Sequence, residues 1–223
     1  MTTNARAFIF DMDGTIVDNM AYHTKSWLEF FARRGKLYEA DAFFRETAGA
    51  QGREILRARL GPDVSDEEIR ALALEKDPLY REMYGPYRRA IEGLAQLVTG
   101  ARNRGIKLAV ATSAPPLNIV FTLDELDLRA RFDTVVGAAD VAHGKPHPDV
   151  FLKAAERLGV DPADCIVFED APMGVEAARR AGMRAVVITT TLPAEAFAEY
   201  DNVIRVVNDY ADLSVDDLCS NSR

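Results

Sequence analysis

Residues 8–15, Phe8-Ile9-Phe10-Asp11-Met12-Asp13-Gly14-Thr15, are a short apolar run that stops at two carboxylates one residue apart. A brief apolar run bounded by a turn signal predicts a buried strand. Ending it on two like charges is unfavourable unless something offsets them, because an unpaired buried carboxylate is expensive to desolvate. At the carboxyl end of a strand in an open α/β sheet they would stand where such folds bind ligands. A divalent cation offsets them there. One carboxylate can then attack phosphorus while the other, two residues on, moves a proton. Two plainer readings compete. Asp and Gly are common at a solvated strand-to-turn junction. A calcium loop wants Asp or Asn fifth and Gly sixth, whereas this chain has Thr15 fifth and Gly14 fourth.

Partners for the carboxylates follow in order along the chain. Residues 106–113 form a second apolar run ending in hydroxyls at Thr112 and Ser113. Gly144-Lys145-Pro146-His147-Pro148-Asp149 places a cation just before a helix opened by prolines. Residues 165–170 form a third run, ending in Glu169 and Asp170, with Ala171-Pro172-Met173-Gly174 behind. Lys145 by itself reads as a solvated loop lysine. Two strand ends with carboxylates, one with hydroxyls and a loop lysine together suit a magnesium-dependent phosphoryl-transfer site.

The chain resembles the haloacid dehalogenase superfamily. Asp11-x-Asp13-Gly-Thr, Thr112/Ser113, Gly144-Lys145-Pro146 and Glu169-Asp170 are similar to its four motifs, in the family's order. The likeness is strongest to its β-phosphoglucomutase-like and small-metabolite phosphatase branch. It implies an α/β fold: a doubly wound, mostly parallel, Rossmann-like sheet with an inserted all-helical cap. It implies Mg²⁺ as cofactor and Asp11 as the nucleophile that forms an aspartyl-phosphate. Asp13 would be general acid and then base. The metal would be held by Asp11, the Asp13 backbone carbonyl and Asp170, with Glu169 nearby or water-bridged. Lys145, Thr112 and Ser113 would hold the phosphoryl oxygens.

Spacing along the chain agrees with a core, an insert and a return to the core. Residues 19–90 show helical periodicity without strand alternation. Tyr22, Ser26, Trp27, Phe30 and Phe31 recur at steps of three and four, and Gly35 closes that helix. The aromatic stripe reads as cap core. Ser65-Asp66-Glu67-Glu68 is a capping box. Asp77-Pro78 is expected to break its helix and start another. Strands at 107–113, 133–137, 165–169, 184–189 and 203–207 then alternate with helices, which implies a parallel sheet. The expected division is a core of 1–16 and 92–223 and a cap of 17–91, with hinges near 15–19 and 88–93. The last ten residues are expected to fray.

Within the cap, His23 and Lys76 resemble the pair that couples cap to core in β-phosphoglucomutases. A lone His at that place otherwise reads as a packed or surface residue. Gly49-Ala50-Gln51-Gly52-Arg53 resembles the substrate-choosing loop, with Arg53 a fork for phosphate or carboxylate. Two departures weigh against a mutase. The positions where mutases offer Ser-Lys to grip a second phosphate are Ala114-Pro115, and the cap loop is one residue longer before its Arg.

Composition bounds the partners. A net charge of −8 with no long basic run argues against a nucleic-acid or anionic-membrane surface. Positive charge must then be concentrated locally, by Lys145, Arg53 and the metal. Cys165 and Cys219, one in a strand run and one near a polar tail, make neither a disulfide framework nor a zinc site. No signal-like or spanning apolar stretch occurs. The expectations are a cytoplasmic monomer or weak dimer acting on a small phosphorylated substrate. A phosphatase for sugar or polyol phosphates ranks first and β-phosphoglucomutase second. Dehalogenase chemistry has no use for Asp13 or a magnesium cluster. A non-catalytic phosphate-binding protein is the rival from another class; the intact set Asp11, Asp13, Lys145 and Asp170 argues against it.

Overall fold

The computed structural model describes residues 5–47 and 50–220. Six parallel strands form one sheet: β1 (Ala7–Phe10), β2 (Lys107–Ala111), β3 (Thr134–Val136), β4 (Cys165–Glu169), β5 (Arg184–Ile188) and β6 (Val203–Val207). Their spatial order is β3-β2-β1-β4-β5-β6. The chain winds outward on one side of β1 and then crosses to the other, so β1 marks the switch point.

The central strands are apolar on both faces because both are covered. Alternate side chains leave β1 in opposite directions. Phe8 and Phe10 enter one cluster, and Ala7 and Ile9 enter the other. Phe10 stacks on Phe168 of β4 with ring centroids 4.3 Å apart. On that face lie α5 (Leu94–Asn103), the single-turn α6 (Pro116–Ile119) and α9 (Val215–Ser220); on the other lie α7 (Asp149–Leu158) and α8 (Pro172–Arg180).

Between β1 and α5 the chain forms a helical cap of α1 (Met20–Ala32), α2 (Ala40–Thr47), α3 (Gly52–Leu60) and α4 (Asp66–Tyr84). The Trp27, Phe30 and Phe31 stripe forms the cap's own core with Phe43, Ile55, Leu56 and Ile69. The capping box at Ser65 forms: Glu68 N–H donates to Ser65 Oγ at 3.2 Å, and Ser65 N–H to Glu68 Oε2 at 3.0 Å. The two crossings run side by side, with Ile91 N–H donating to Ile16 O at 2.9 Å. Tyr80 and Tyr84, near the end of α4, are buried with Met12 and Ile16 of the core and with Val17 at the crossing. The cap is therefore seated on the core through an aromatic seam.

Two expectations are corrected. The helix does not break at Asp77-Pro78: α4 runs continuously with Pro78 inside it. An interior proline costs about 3 kcal/mol. Ile69, Tyr80 and Tyr84 are buried along this helix on both sides of the proline. Each such burial contributes about 1.5–3 kcal/mol, which offsets the proline. The C-terminal segment does not fray from residue 214. It forms α9, which buries Val215 and Leu218, and Arg104 donates to both carboxylate oxygens of Asp216 at 2.9 and 2.6 Å. Residues 221–223 lie outside the described residues. Among those described, no helix is long and apolar enough to cross a membrane.

Candidate active site

Parallel pairing brings the strand ends together. Phe10 is level with Val110 on one side and Phe168 on the other. The residues just beyond, Asp11, Thr112 and the Glu169-Asp170 pair, therefore meet at one edge of the sheet. Asp11 N–H still donates to Phe168 O at 2.9 Å, and Thr112 N–H to Val136 O at 3.0 Å. The ladder itself thus fixes where both side chains start.

Lys145 enters this edge from the loop before α7. Its Nζ donates to Asp11 Oδ1 and to Glu169 Oε1, both at 2.6 Å, and the side chain is almost fully buried. Glu169 Oε2 accepts the N–H groups of Asp170 and Ala171 at 2.8 and 2.9 Å. Glu169 is therefore already well partnered and serves to hold Lys145. Asp170 is held by two hydroxyls, Thr15 Oγ1 at 3.3 Å and Thr191.

One ammonium among three buried carboxylates leaves an excess of negative charge. Burial pushes the Asp11 carboxyl up to about 8, against the pull of Lys145 and with the repulsion of Glu169 and Asp13. Burial, then Glu169 and Asp11, raise Asp170 well above the carboxylate range. Burial disfavours the charge on Lys145, but Asp11 and Glu169 outweigh it and keep the ammonium protonated. Oxygens of Asp11, Glu169 and Asp170 lie within 4.8 Å of one another. An all-oxygen, electron-rich donor set of this kind fits a hard divalent cation.

Asp13, two residues beyond Asp11, faces the cap. Asn19 Nδ2 donates to its Oδ1 at 2.6 Å and also to the Tyr80 hydroxyl at 2.6 Å. Asn19 Oδ1 accepts Gly14 N–H at 3.0 Å. His23 Nε2 stands 3.5 Å from Asp13 Oδ1, an electrostatic contact longer than a good hydrogen bond. The His23 ring stacks on Tyr80 at 3.8 Å, and its Nδ1 meets Lys76 Nζ at 3.2 Å. Burial tends to raise Asp13, but His23, Asn19 and Lys76 together hold it below the usual carboxylate range. Burial holds Lys76 down to about 8, despite Asp77 and Asp13.

All ten residues singled out from the sequence line one cavity of about 450 Å³: Asp11, Asp13, His23, Arg53, Lys76, Thr112, Ser113, Lys145, Glu169 and Asp170. That volume lies in the range of small-molecule sites. Thr112 Oγ1 accepts Ala114 N–H at 3.0 Å, leaving its hydroxyl proton for a ligand. Arg53 spends one guanidinium nitrogen on Ala142 O, at 2.8 Å across the cap–core seam. Of the expected cap loop, Gly49 lies outside the described residues. Gln51 precedes α3, with Gly52 and Arg53 in its first turn. Trp27 belongs both to the cap core and to the cavity wall.

Sequence reasoning missed Asn19, Tyr80 and Thr191. Asn19 carried a signal, since an Asn just before a helix should cap it. Here it makes no cap bond and turns to Asp13. Thr189-Thr190-Thr191 follows β5 as Thr112-Ser113 follows β2, which is the same hydroxyl signature at a strand end. Gly174 was also missed. A Cβ there would stand 1.7 Å from Glu169 Oε1. Gly174→Ala is therefore expected to displace Glu169 and, through it, Lys145. Misplacing a reacting group by about 1 Å costs on the order of 10²-fold. Turnover should fall by about that much while the far-ultraviolet dichroism spectrum is kept; unchanged turnover would free Glu169 from this role.

A doubly wound sheet with a helical lid over a lysine-bridged acid cluster defines a capped hydrolase of the α/β class. The chain belongs to the haloacid dehalogenase-like hydrolases, whose family model matches residues 5–182. It is 39% identical over 179 residues to the fructose-1-phosphate phosphatase YqaB of Escherichia coli, covering 80% of this chain and 93% of that one. It is 32% identical over 203 residues to the validoxylamine A 7'-phosphate phosphatase of Streptomyces hygroscopicus subsp. limoneus, covering 88% and 92%. Among solved structures it is similar to a β-phosphoglucomutase from Clostridium difficile. There the TM-score is 0.84 at 27% identity, covering 96% of this chain and 95% of that one.

Proposed function

We propose that the protein is a Mg²⁺-dependent phosphatase acting on small phosphorylated sugars or polyols through an aspartyl-phosphate on Asp11. The observation that carries this reading is the junction of Asp11, Lys145 and Asp170 in one buried cluster, with Asp13 beside it under the cap. The phosphatase names of the relatives support it. Mg²⁺ held by Asp11, the Asp13 carbonyl and Asp170 would offset the charge that the carboxylates and the phosphate share. Glu169, expected beside the metal or water-bridged to it, acts here from behind Lys145, whose Nζ it holds.

In this mechanism Lys145 and the Thr112 and Ser113 hydroxyls seat the phosphoryl oxygens. The Asp11 carboxylate attacks phosphorus, and Asp13 gives a proton to the departing oxygen. At rest Asp13 is ionised, as its surroundings demand. An incoming anionic phosphate disfavours that charge and favours the protonated acid. Once the alcohol leaves, Asp13 is the base that takes a proton from water. The water oxygen attacks phosphorus, the bond from phosphorus to the Asp11 oxygen breaks, and inorganic phosphate departs with the Asp11 carboxylate regenerated. The cap excludes stray water from the first step. A cytoplasmic setting and a cap of 17–91 on a core of 1–16 and 92–223 accompany this reading.

The mutase reading rests on His23 and Lys76 beside Asp13. It needs a seat for a second phosphate, because an unpaired dianion under a closed cap is costly. Ala114 and Pro115 line the cavity without a side-chain donor. The donors left in the cavity for such a phosphate are Arg53 and the amide nitrogen of Asn118, whose Oδ1 accepts from Arg81 at 2.7 Å. The deciding experiment runs a free-phosphate assay on sugar and polyol phosphates beside conversion of β-glucose 1-phosphate to glucose 6-phosphate, primed with the 1,6-bisphosphate. Phosphate release that needs Mg²⁺ and stops reversibly in EDTA is expected. Isomerisation faster by about tenfold or more, a gap of some 1.4 kcal/mol in barrier, would make the protein a mutase. Full activity in chelator would refute the metal.

A further inference from the structure

The loop that seats Lys145 carries a second set of potential ligands on its outer side. In His143-Gly144-Lys145-Pro146-His147-Pro148-Asp149 the lysine is buried, while both histidines are exposed. Two of the chain's three histidines thus sit four residues apart. His147 N–H donates to Gly144 O at 2.9 Å, a turn that folds the segment back on itself. The His143 and His147 rings stack with centroids 4.8 Å apart. Asp149, opening α7, brings its Oδ2 to 3.0 Å from His143 Nδ1 and accepts His143 N–H at 3.3 Å.

We infer that His143, His147 and Asp149 form a binding site for a borderline divalent transition-metal ion such as Zn²⁺, Co²⁺ or Ni²⁺, separate from the acidic cluster. Imidazole selects such ions, whereas Mg²⁺ prefers oxygen alone. One ligand atom from each residue already lies within 4.8 Å of the others. With metal–ligand bonds of about 2.0–2.2 Å, neighbouring ligands in a tetrahedral site stand about 3.3–3.5 Å apart. The His143–Asp149 pair is already near that spacing. His147 needs only a side-chain rotation, and its exposure leaves the ring free to make it. The ion takes the place of the proton shared by His143 and Asp149, and the His143 N–H keeps the carboxylate oriented, as outer partners of metal ligands do. Solvent completes the coordination, as in open three-ligand sites.

Occupancy would tie together the two sides of the turn that presents Lys145. The same turn meets the cap: Arg53 donates to Ala142 O at 2.8 Å, and a Cβ on Gly144 would lie 2.8 Å from the Gln51 side chain. An ion here would therefore stiffen the cap–core seam next to the phosphoryl site.

The test titrates Co²⁺ into tag-free protein held in excess Mg²⁺, following the visible ligand-field bands and the heat of binding. Saturation at one Co²⁺ per chain is expected, with Zn²⁺ displacing it and bleaching the bands. His143→Gln and His147→Gln should each weaken binding by about tenfold or more, since even outer-shell losses cost about 10–100-fold. The double variant should lose the bands. Both side chains are exposed, so circular dichroism should be unchanged, and Asp149→Asn supplies an independent third variant. No saturable binding in Mg²⁺, or bands that persist in the double variant, would overturn the site.

Discussion

Asp11→Asn is expected to abolish turnover and, in metal-free buffer, to raise the melting temperature. An amide cannot attack phosphorus, and loss of a nucleophile costs on the order of 10⁴-fold or more. Residual turnover above about 1% of wild type would be incompatible with that role. The stability gain has a separate origin. Asp11, Glu169 and Asp170 share one buried ammonium, and a neutral side chain at residue 11 relieves their repulsion. Each 1 kcal/mol so relieved raises the melting temperature of a chain this size by about 2–4 °C. The pH dependence has a definite sign. Asp11 is held up to about 8 in the folded protein, from an ordinary 3.8. Between those values the folded state binds the extra proton, so stability falls as pH rises. His23, held low chiefly by burial and then by Lys76, opposes this as pH falls through its ordinary 6.5. The window is therefore about pH 6.5–8, read by thermal melts in EDTA. Asp11→Asn should flatten the slope; a melting temperature that climbs with pH there would contradict the shared-charge account.

Lys145→Ala should remove both activity and much of the stability. Its ammonium is the cation bridging Asp11 and Glu169, at 2.6 Å to each. Deleting one partner of a buried ion pair costs about 3–5 kcal/mol, because the remaining charge is left uncompensated. The melting temperature should then fall by about 6–20 °C. Added Mg²⁺ should recover part of that loss and none of the turnover, since the phosphoryl seat is still missing its point charge. Calorimetry with and without Mg²⁺ checks both halves. An unchanged melting temperature would mean that the acid cluster is not strained by its charge.

The fold and the cavity's polar wall were legible because both are written locally. Apolar runs of strand length ended in the chemistry of the site, and parallel pairing brings those ends to one edge. Helical spacing in the insert exposed the Trp27, Phe30 and Phe31 core of the cap for the same reason. What was not legible depends on tertiary contacts. Pro78 carries a strong local signal to stop a helix, and the burial of Ile69, Tyr80 and Tyr84 overrides it. The segment after Leu213 reads as a polar tail until α5 offers Val215 and Leu218 a surface. Gly174 looks like an ordinary helix residue until Glu169 is seen pressed against it. Asn19 and Tyr80 gain meaning only once α1 and α4 stand side by side over Asp13.

The central place of β1 has a further consequence, for synthesis of the chain. Ala7–Phe10 is made well before its two partners, Lys107–Val110 and Cys165–Phe168, which emerge roughly a hundred and a hundred and sixty residues later. Contacts so distant in sequence form slowly, and their unpaired edges stay sticky meanwhile. The helices of the cap, by contrast, can associate from local contacts as soon as they leave the ribosome. During synthesis the Phe-Ile-Phe strand therefore waits for its partners until residues 107–168 have been made. At that stage a chaperone that shields short apolar segments would act on this molecule, and translation speed through residues 107–168 would govern its yield.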